Sequence, residues 1–396
     1  MPIPTPFHPR TSTHCTSLFW KDWAGYHAVR TYDTTVDREY FALRHAAGMI
    51  DVSPLYKMDV EGPDAGRFLA RIMVKDVRKL AVGQVTYLCW CDDEGKVVDD
   101  GTVTRMGEDA YRVTAAEPTW GWLMRHRAGA KVTITEITDQ IGALAVQGPT
   151  SRDVLKACSD ADLDGLKFFR MTHCRIGGHP AIISRTGYTG DLGYEVWVDR
   201  EHAVSVWDAI FQAGQPYRVL PVGLDAMDMT RVEAGFIMNG VDYFSAHHCL
   251  VESRKSTPFE LGLGWTVKLD REPFMGQEAL RREKAEGSKW AFVGLVLDWD
   301  KYESLFARFG LPPQTPAGAW RTPVPVYGSG GVQVGFATSG SFSPTLKKNL
   351  ALAHVRTPHH ELGRELQIEV TAEFERHRVP AVVTQTPFFN PARKRA

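Results

Sequence analysis

The chain has 396 residues, with 46 Lys and Arg against 47 Asp and Glu, and 43% of its residues are hydrophobic. This apolar content is enough for packed cores and excludes disorder as the dominant state. A formal net charge of −1 excludes the basic excess that non-specific nucleic-acid binding requires. The longest apolar runs, such as residues 291–297, are far shorter than the roughly 20 residues of a membrane span. We therefore expect a protein of two or three domains that binds small molecules, with no nucleic-acid or membrane partner.

The amino-terminal residues have no long apolar stretch after a basic start, so a secretory signal is not expected. Six cysteines are too few for a disulfide framework in a chain of this length, and we expect reduced thiols in a cytoplasmic protein. No Cys or His spacing typical of a metal site occurs, and no metal is predicted.

The predicted elements begin with a Pro- and aromatic-rich arm or cap over the first forty residues. An amphipathic helix over 37–47 and a strand at 49–52 follow. Residues 84–105 are predicted to form a β-hairpin, with its turn at 92–95. The next predicted elements are strands at 110–115, 143–146, around 174, 181–184 and 194–198, and helices at 119–128, 151–158, 202–213 and 223–234.

Beyond residue 285 the pattern changes to short β-rich runs separated by Gly and Pro. These runs lie at 291–297, 324–327, 332–337, 350–355, 365–370 and 379–384. Such spacing is typical of a small antiparallel barrel or sandwich. We place the domain boundary within 278–287, which divides the chain into regions 1–285 and 286–396.

A glycine-rich turn leads into Glu195 and could bring backbone close to a ligand. Strand alternation puts Glu195 and Trp197 on one face, where a carboxylate could accept two hydrogen bonds from a flat heterocycle. The alternative is an ordinary hairpin whose Glu195 faces solvent.

Two adjacent carboxylates, Asp99 and Asp100, precede Gly101. Because neighbouring strand residues point to opposite faces, we expect one carboxylate to point inward and the other outward or into the turn. They cannot flank one scissile bond as a glycosidase pair must. Turn formation is the alternative role for both.

Seven strings, in order along nearly the whole chain, resemble the T-protein of the glycine cleavage system. They are Gly-Met-Ile-Asp-Val-Ser (48–53), Val-Val-Asp-Asp (97–100), Ala-Val-Gln-Gly-Pro (145–149), Gly-Tyr-Thr-Gly-Asp-Leu-Gly-Tyr-Glu (187–195), Thr-Arg-Val-Glu-Ala-Gly (230–235), Phe-Met-Gly-Gln-Glu-Ala-Leu (274–280) and Thr-Ser-Gly-Ser-Phe-Ser-Pro-Thr-Leu (338–346). The resemblance implies an α+β fold: a cloverleaf of ferredoxin-like α+β folate-binding domains, formed by two intertwined subdomains in 1–285, plus a C-terminal antiparallel β-barrel. It also implies tetrahydrofolate as the cofactor, bound in a central channel.

By this resemblance, Asp100 matches the family's essential carboxylate beside the N5/N10 edge of the folate, and Glu195 matches the residue that holds the pterin ring. The remaining matched folate positions are Tyr87, Val113, Tyr188 and Phe236, the last replacing a family tyrosine.

The chain departs from the T-protein pattern on the donor side of the channel. A family arginine is replaced by Met227, and an extra stretch occupies 243–254. Within that stretch, Tyr243, His247 and His248 are candidates for an acid that protonates a leaving group.

These departures favour a tetrahydrofolate-dependent enzyme that demethylates a small methoxy, methylthio/sulfonium or N-methyl donor to give 5-methyl-tetrahydrofolate. The alternative is an aminomethyltransferase that works with a lipoyl carrier protein and gives 5,10-methylene-tetrahydrofolate. A more distant alternative is a non-enzymatic folate-binding factor of iron–sulfur assembly, whose family string is only partly present at 273–278.

Overall fold

The computed structural model describes residues 1–396. Its first 285 residues form two β-sheets with packed helices, preceded by a small hairpin. The elements in chain order are α1 (His8–His14), β1 (Phe19–Trp23), β2 (Tyr26–Thr31), α2 (Asp37–His45), β3 (Gly48–Asp51), β4 (Tyr56–Glu61), α3 (Ala65–Ile72), β5 (Val85–Cys91), β6 (Val97–Gly107), β7 (Ala110–Ala115), α4 (Trp120–Arg125), β8 (Thr133–Glu136), β9 (Ile141–Gln147), α5 (Ser151–Cys158), β10 (Met171–Ile176), β11 (His179–Ser184), β12 (Gly193–Asp199), α6 (Ala203–Gly214), β13 (Leu220–Pro221), α7 (Leu224–Glu233) and α8 (Gln277–Glu286).

The elements after residue 285 close into a six-stranded antiparallel barrel with one helix, in the order β14-β17-β16-β15-β18-β19. They are β14 (Trp290–Leu297), α9 (Trp299–Ala307), β15 (Val324–Tyr327), β16 (Gln333–Ser343), β17 (Lys348–Arg356), β18 (Glu365–Ala372) and β19 (Glu375–Thr384). The predicted α+β class with a C-terminal antiparallel barrel is confirmed. Closing the sheet leaves no unpaired strand edge.

The first region is built on a six-stranded sheet, ordered β10-β11-β12-β9-β3-β13, and a five-stranded sheet, ordered β5-β6-β7-β4-β8. Two apolar clusters cover the six-stranded sheet, and the largest cluster of the protein covers the five-stranded sheet. The two sheets are therefore separate packing units.

The amino-terminal arm is more structured than expected. Residues 8–14 form α1, and β1 pairs with β2 as a hairpin. Phe7, which is fully buried, contacts Trp207 with ring centroids 5.8 Å apart. The arm is thus fixed to the six-stranded sheet by apolar burial, which proline-rich sequence did not reveal.

A buried charge network joins the first region to the barrel. Arg44 on α2 pairs with Glu233 on α7, and both side chains have no exposed surface. Glu233 also accepts hydrogen bonds from Tyr40 and from Ser343 on β16. Because a buried charge must be paired, these contacts fix the position of the barrel against α2 and α7. No helix of the protein has the length and apolar character needed to cross a bilayer.

Candidate active site

The hairpin formed by β5 and β6 brings Tyr87 to Asp100. Asp100 lies opposite Cys89 in the antiparallel ladder, so Tyr87, two residues before Cys89, is its diagonal neighbour on the same face. The Tyr87 hydroxyl donates to Asp100 Oδ2 at 2.6 Å. This contact follows from strand alternation and could be read from the sequence.

Of the two adjacent carboxylates, Asp99 is the one that points inward: its side chain is fully buried, whereas Asp100 is partly exposed. The ladder between β6 and β7 ends at Gly101 and Ala115, so Asp99 lies just past the end of its neighbouring strand. There its Oδ2 accepts from the backbone N–H of Glu117 at 2.9 Å, where the departing chain has lost its strand partner. Asp99 is therefore an interior carboxylate that satisfies a backbone N–H beyond the end of this ladder.

A turn after α7 places two further polar groups on this pair. Asn239 Nδ2 donates to Asp99 Oδ1 at 2.9 Å, and the buried Tyr243 hydroxyl lies 3.2 Å from the same oxygen. Tyr243 also donates to Asp100 Oδ1. Asp99, Asp100, Tyr87, Tyr243 and Asn239 thus form one hydrogen-bonded group, which we call the carboxylate cluster.

The turn that carries Asn239 and Tyr243 is held by Asp242. This buried carboxylate accepts from the Met238 N–H at 2.9 Å and pairs with Arg231 of α7. Its other oxygen accepts from Thr338 and Ser339 on β16, the latter at 2.8 Å. The barrel therefore helps to place the tyrosine and the asparagine on the carboxylate cluster.

Burial changes the proton affinity of the cluster. Desolvation and the neighbouring charge of Asp100 raise the pKa of Asp99 to about 7, against the hydrogen bonds from Asn239 and the backbone. Desolvation also raises the pKa of Asp100, and the two phenols that donate to it oppose the rise. Both tyrosines have a raised pKa because they are buried beside carboxylates. The cluster can therefore hold a proton near neutral pH.

The glycine-rich turn before Glu195 packs against the protein's own Gln147. A Cβ on Gly187 or Gly193 would come within 2.0 or 2.1 Å of the Gln147 side-chain oxygen. Gln147 Nε2 donates to the carbonyls of Thr186 and Tyr194 at 3.2 and 3.0 Å. These two glycines are therefore needed for a buried glutamine, rather than for close approach to a ligand.

Glu195 follows on β12 and is partly exposed. Burial raises its pKa, while the Thr186 hydroxyl and the charge of Lys57 lower it. Lys57 is itself buried, donates to the carbonyls of Ser53 and Leu55, and has a pKa lowered to about 7 by desolvation. Glu195 is thus a partly buried carboxylate influenced by the charge of Lys57, not a fully solvent-exposed hairpin residue.

Tyr188 and Phe236 form a second aromatic pair, with ring centroids 5.5 Å apart. The Tyr188 hydroxyl donates to the Ile237 carbonyl, and the Lys394 ammonium lies 4.9 Å from the centre of the Phe236 ring. Met227 is buried in the apolar cluster against which Tyr188 packs. Position 227 therefore supplies apolar surface rather than charge.

Five of the predicted folate positions keep part of their surface exposed and are therefore accessible to a ligand. They are Tyr87, Asp100, Tyr188, Glu195 and Phe236. Val113 differs, because it is fully buried in the core of the five-stranded sheet and its side chain offers no surface to a ligand.

The two candidate histidines are exposed and make no contact with Asp100. His247 contacts Trp122 with ring centroids 5.4 Å apart, and His248 lies 3.7 Å from the Glu117 carboxylate. Neither makes a hydrogen bond to the carboxylate cluster. Of the three candidate acids, the structure brings only Tyr243 to Asp100.

Sequence reasoning missed Asn239 and the interior position of Asp99. Asn239 lies in an irregular turn with no periodicity. The available signal was the Thr-Ser-Gly-Ser string, because Thr338 and Ser339 bind the Asp242 that holds this turn.

Comparison with known proteins agrees with this architecture. Residues 8–271 match the family model described as GCVT N-terminal domain, and residues 308–390 match that of the glycine cleavage T-protein C-terminal barrel domain. The crystal structure of glycine cleavage system aminomethyltransferase T from Bartonella henselae superposes with a TM-score of 0.83, covering 98% of this chain and 99% of that chain. At 24% identity, this superposition shows the fold.

Similar sequences carry two different names. An aminomethyltransferase from Bacillus pumilus is 33% identical over 366 residues, covering 91% of this chain and 92% of that protein. A trimethylamine-oxide aldolase from Ruegeria pomeroyi is 36% identical over 370 residues, which is 90% of this chain but 43% of that longer protein.

The fold and these matches define the class as folate-dependent C1-transferring enzymes. The chain belongs to the aminomethyltransferase family, whose type member is the glycine cleavage T-protein.

Proposed function

We propose that this enzyme transfers a methyl group from a small methoxy, methylthio/sulfonium or N-methyl donor to tetrahydrofolate. The observation that carries the proposal is the setting of Asp100, a partly exposed carboxylate held between two phenols and next to the buried Asp99. Such a group can take up or release a proton beside a reacting nitrogen without moving.

The chemistry of the recess suits a reduced pterin. Glu195 can accept two hydrogen bonds from adjacent N–H groups of a pyrimidine ring, and the charge of Lys57 favours its ionised form. Tyr188 and Phe236 offer aromatic faces for a flat ring. Bound tetrahydrofolate would supply N5 as the amine that accepts the methyl group.

The protein's part in the reaction is orientation and proton handling. Glu195 and the aromatic pair fix the acceptor, so that its reacting nitrogen faces the donor carbon and the entropy of alignment is already lost on binding. Asp100 receives the proton that the acceptor nitrogen releases when the new bond to carbon forms. Tyr87 and Tyr243 hold the carboxylate in place during this transfer.

Met227 favours the methyl donor over an aminomethyl-lipoyl donor. The T-protein pattern has an arginine at this position, and here the buried position supplies apolar surface. The similarity to a trimethylamine-oxide aldolase, whose name denotes an N-methyl compound, is compatible with this choice.

The competing function is that of an aminomethyltransferase, which takes the C1 unit from a lipoyl carrier protein and releases ammonia. The match to the Bacillus pumilus enzyme over nearly its whole length favours it. Under the proposed function no carrier protein is needed, and the partners are tetrahydrofolate and the methyl donor. We place the enzyme in the cytoplasm, since all six cysteines are unpaired.

Product analysis tests the proposal. The enzyme is incubated with tetrahydrofolate and a panel of ether, N-methyl and sulfonium donors, and in parallel with aminomethyl-lipoyl protein, and the folate products are identified by mass spectrometry. We expect 5-methyl-tetrahydrofolate from at least one small donor. Formation of 5,10-methylene-tetrahydrofolate from the lipoyl protein alone would establish the competing function.

A further inference from the structure

The carboxylate cluster contains three close contacts between a phenol oxygen and a carboxylate oxygen, but its two phenols have only two protons to donate. Three phenol–carboxylate contacts join its members: Tyr87 with Asp100, Tyr243 with Asp100, and Tyr243 with Asp99. Each phenol carries one proton, so the two phenols satisfy only two of the three contacts. With both aspartates ionised, the buried Tyr243 and Asp99 oxygens would face each other at 3.2 Å with no hydrogen between them.

We propose that the free enzyme holds one additional proton on the Asp99–Tyr243–Asp100 chain, and that Asp99 is a positioning residue that controls, through Tyr243, when Asp100 is an acid. A proton on Asp99 lets its carboxyl donate to the Tyr243 oxygen while Tyr243 donates to Asp100. Shifting both protons toward Asp100 makes Asp100 the acid and leaves Asp99 ionised.

Exposure assigns the two ends of this chain different roles. Asp99 is fully buried and Tyr243 nearly so, whereas Asp100 keeps part of its surface open to the recess. Only Asp100 can therefore touch a substrate. Asp99 is held by three donors besides the tyrosine, namely Asn239 Nδ2 and the backbone N–H groups of Asp100 and Glu117, each at 2.9 Å.

No cation contacts the cluster to remove its need for a proton. The titratable side chains beside its members are Cys89, Tyr188 and Asp242, of which none is a cation. Arg231, the nearest cation on α7, is paired with Asp228 and Asp242. Desolvation and the mutual repulsion of the two aspartates agree with the donor count, because they raise the pKa of Asp99 to about 7.

The inference rests on the proposed function for its role in turnover, and it selects among the donor classes. When the donor's bond to carbon breaks, the leaving nitrogen or oxygen keeps the electron pair and takes the proton of Asp100. The acceptor nitrogen forms its bond to carbon and returns its own proton to Asp100, so the cluster ends with the proton it began with. A sulfonium or quaternary ammonium donor leaves as a neutral thioether or amine and needs no such acid, so we expect the substrate to be an ether or an uncharged N-methyl amine.

Infrared spectroscopy of the free enzyme tests the proton without any turnover. Wild type and Asp99→Asn, both labelled with ¹³C-carboxyl aspartate, are compared for the C=O stretch of a protonated carboxyl across the pH range. We expect a band in the wild type that titrates near the Asp99 pKa of about 7. The band should be absent from Asp99→Asn. A wild-type spectrum at neutral pH that matches the variant would overturn the inference, whatever the reaction proves to be.

Asn239→Ala keeps the test decisive if Asp99→Asn fails to fold. The amide hydrogen bond lowers the pKa of Asp99, so removing it should move the titration of the band to higher pH. An unmoved band would assign the proton to another carboxyl and refute the inference. Thr102→Ala, on the same strand but outside these contacts, is the control and should leave the band unchanged.

Turnover then tests the role of Asp99. With an uncharged N-methyl amine or ether donor, we expect Asp99→Asn to bind tetrahydrofolate normally but to move the alkaline limb of the pH–rate profile to lower pH, because Asp100 loses its charged neighbour. The profile for a sulfonium donor should not move. An unshifted profile with the N-methyl or ether donor would show that Asp99 only supports the fold.

Discussion

Replacing Asp100 by Asn separates binding of the acceptor from chemistry. The amide has the shape of the carboxylate. Its oxygen and nitrogen can still form hydrogen bonds with the hydroxyls of Tyr87 and Tyr243, which in the wild type donate to Asp100, the former at 2.6 Å. The hairpin and the turn at 238–243 should therefore keep their positions. What disappears is the titratable group that we propose to lie beside the reacting nitrogen.

Loss of a positioned acid or base typically costs 10²–10⁴ in rate, which corresponds to about 3–5 kcal/mol of barrier. We expect Asp100→Asn to lower kcat by about 100-fold or more and to change the Kd for tetrahydrofolate only severalfold. Single-turnover rates by rapid quench and a Kd from fluorescence titration measure the two effects separately. A variant with kcat within about threefold of wild type would remove Asp100 from the reaction, and a matching loss in Kd would show that it only binds.

Four further predictions follow from the contacts around the site. Glu195→Ala should weaken tetrahydrofolate binding by about 1.5–3 kcal/mol, the usual contribution of a hydrogen bond to a charged group, and an unchanged Kd by calorimetry would contradict its proposed role. Replacing His247 and His248 together by Ala should leave kcat on an ether donor unchanged, because both side chains are exposed and neither makes a hydrogen bond to Asp100; a large loss would restore them as acids. Arg44→Met leaves the buried Glu233 without its ion-pair partner and should lower the free energy of unfolding by about 3–5 kcal/mol. As the control, Arg38→Met breaks the exposed Arg38–Asp33 ion pair and should lower it by less than about 1 kcal/mol. Equal urea midpoints for the two variants would refute this. Since folding raises the pKa of Asp99 to about 7, the folded protein keeps a proton that the unfolded chain has released above about pH 4, so the contribution of Asp99 to stability should fall as pH rises through that window; a wild-type-to-Asp99→Asn difference in unfolding free energy that stays constant with pH would show otherwise.

A steric prediction concerns the turn before Glu195. Gly187→Ala would place a methyl group 2.0 Å from Gln147 Oε1 and should destabilise the protein by about 1–3 kcal/mol, as overpacking does. Gly121→Ala is the matched control, since nothing lies within 4 Å of its Cβ and alanine favours its helix. Equal melting temperatures for the two variants would show that Gln147 moves aside.

The barrel has a structural consequence for the site as well as for the fold. Thr338 and Ser339 bind Asp242, which fixes the turn that supplies Asn239 and Tyr243 to the carboxylate cluster. His354 on β17 also contacts the Asp242 carbonyl at 2.6 Å. The second region therefore contributes to the site through the position of this turn, although its own side chains do not touch Asp100.

Sequence patterns determined those features that depend on neighbours along the chain. The hairpin with Tyr87 beside Asp100 follows from alternation and one turn, and the strand at 110–115 and the helix at 151–158 were located to the residue. The six barrel strands were likewise indicated by regularly spaced β-rich runs. The family resemblance predicted the fold class, which is confirmed, and it also predicted roles for Asp100 and Glu195, which remain predictions.

The tertiary structure decided what depends on segments far apart in the chain. Alternation left open which of the two adjacent aspartates points inward, and the structure shows that it is Asp99, which accepts hydrogen bonds from the Glu117 N–H and from Asn239. Tyr243 reaches the cluster across a separation of 143 residues, whereas the adjacent histidines of the same loop do not. Local periodicity carries no information about such contacts, because they are set by where separate packing units meet and by the need of each buried charge for a partner.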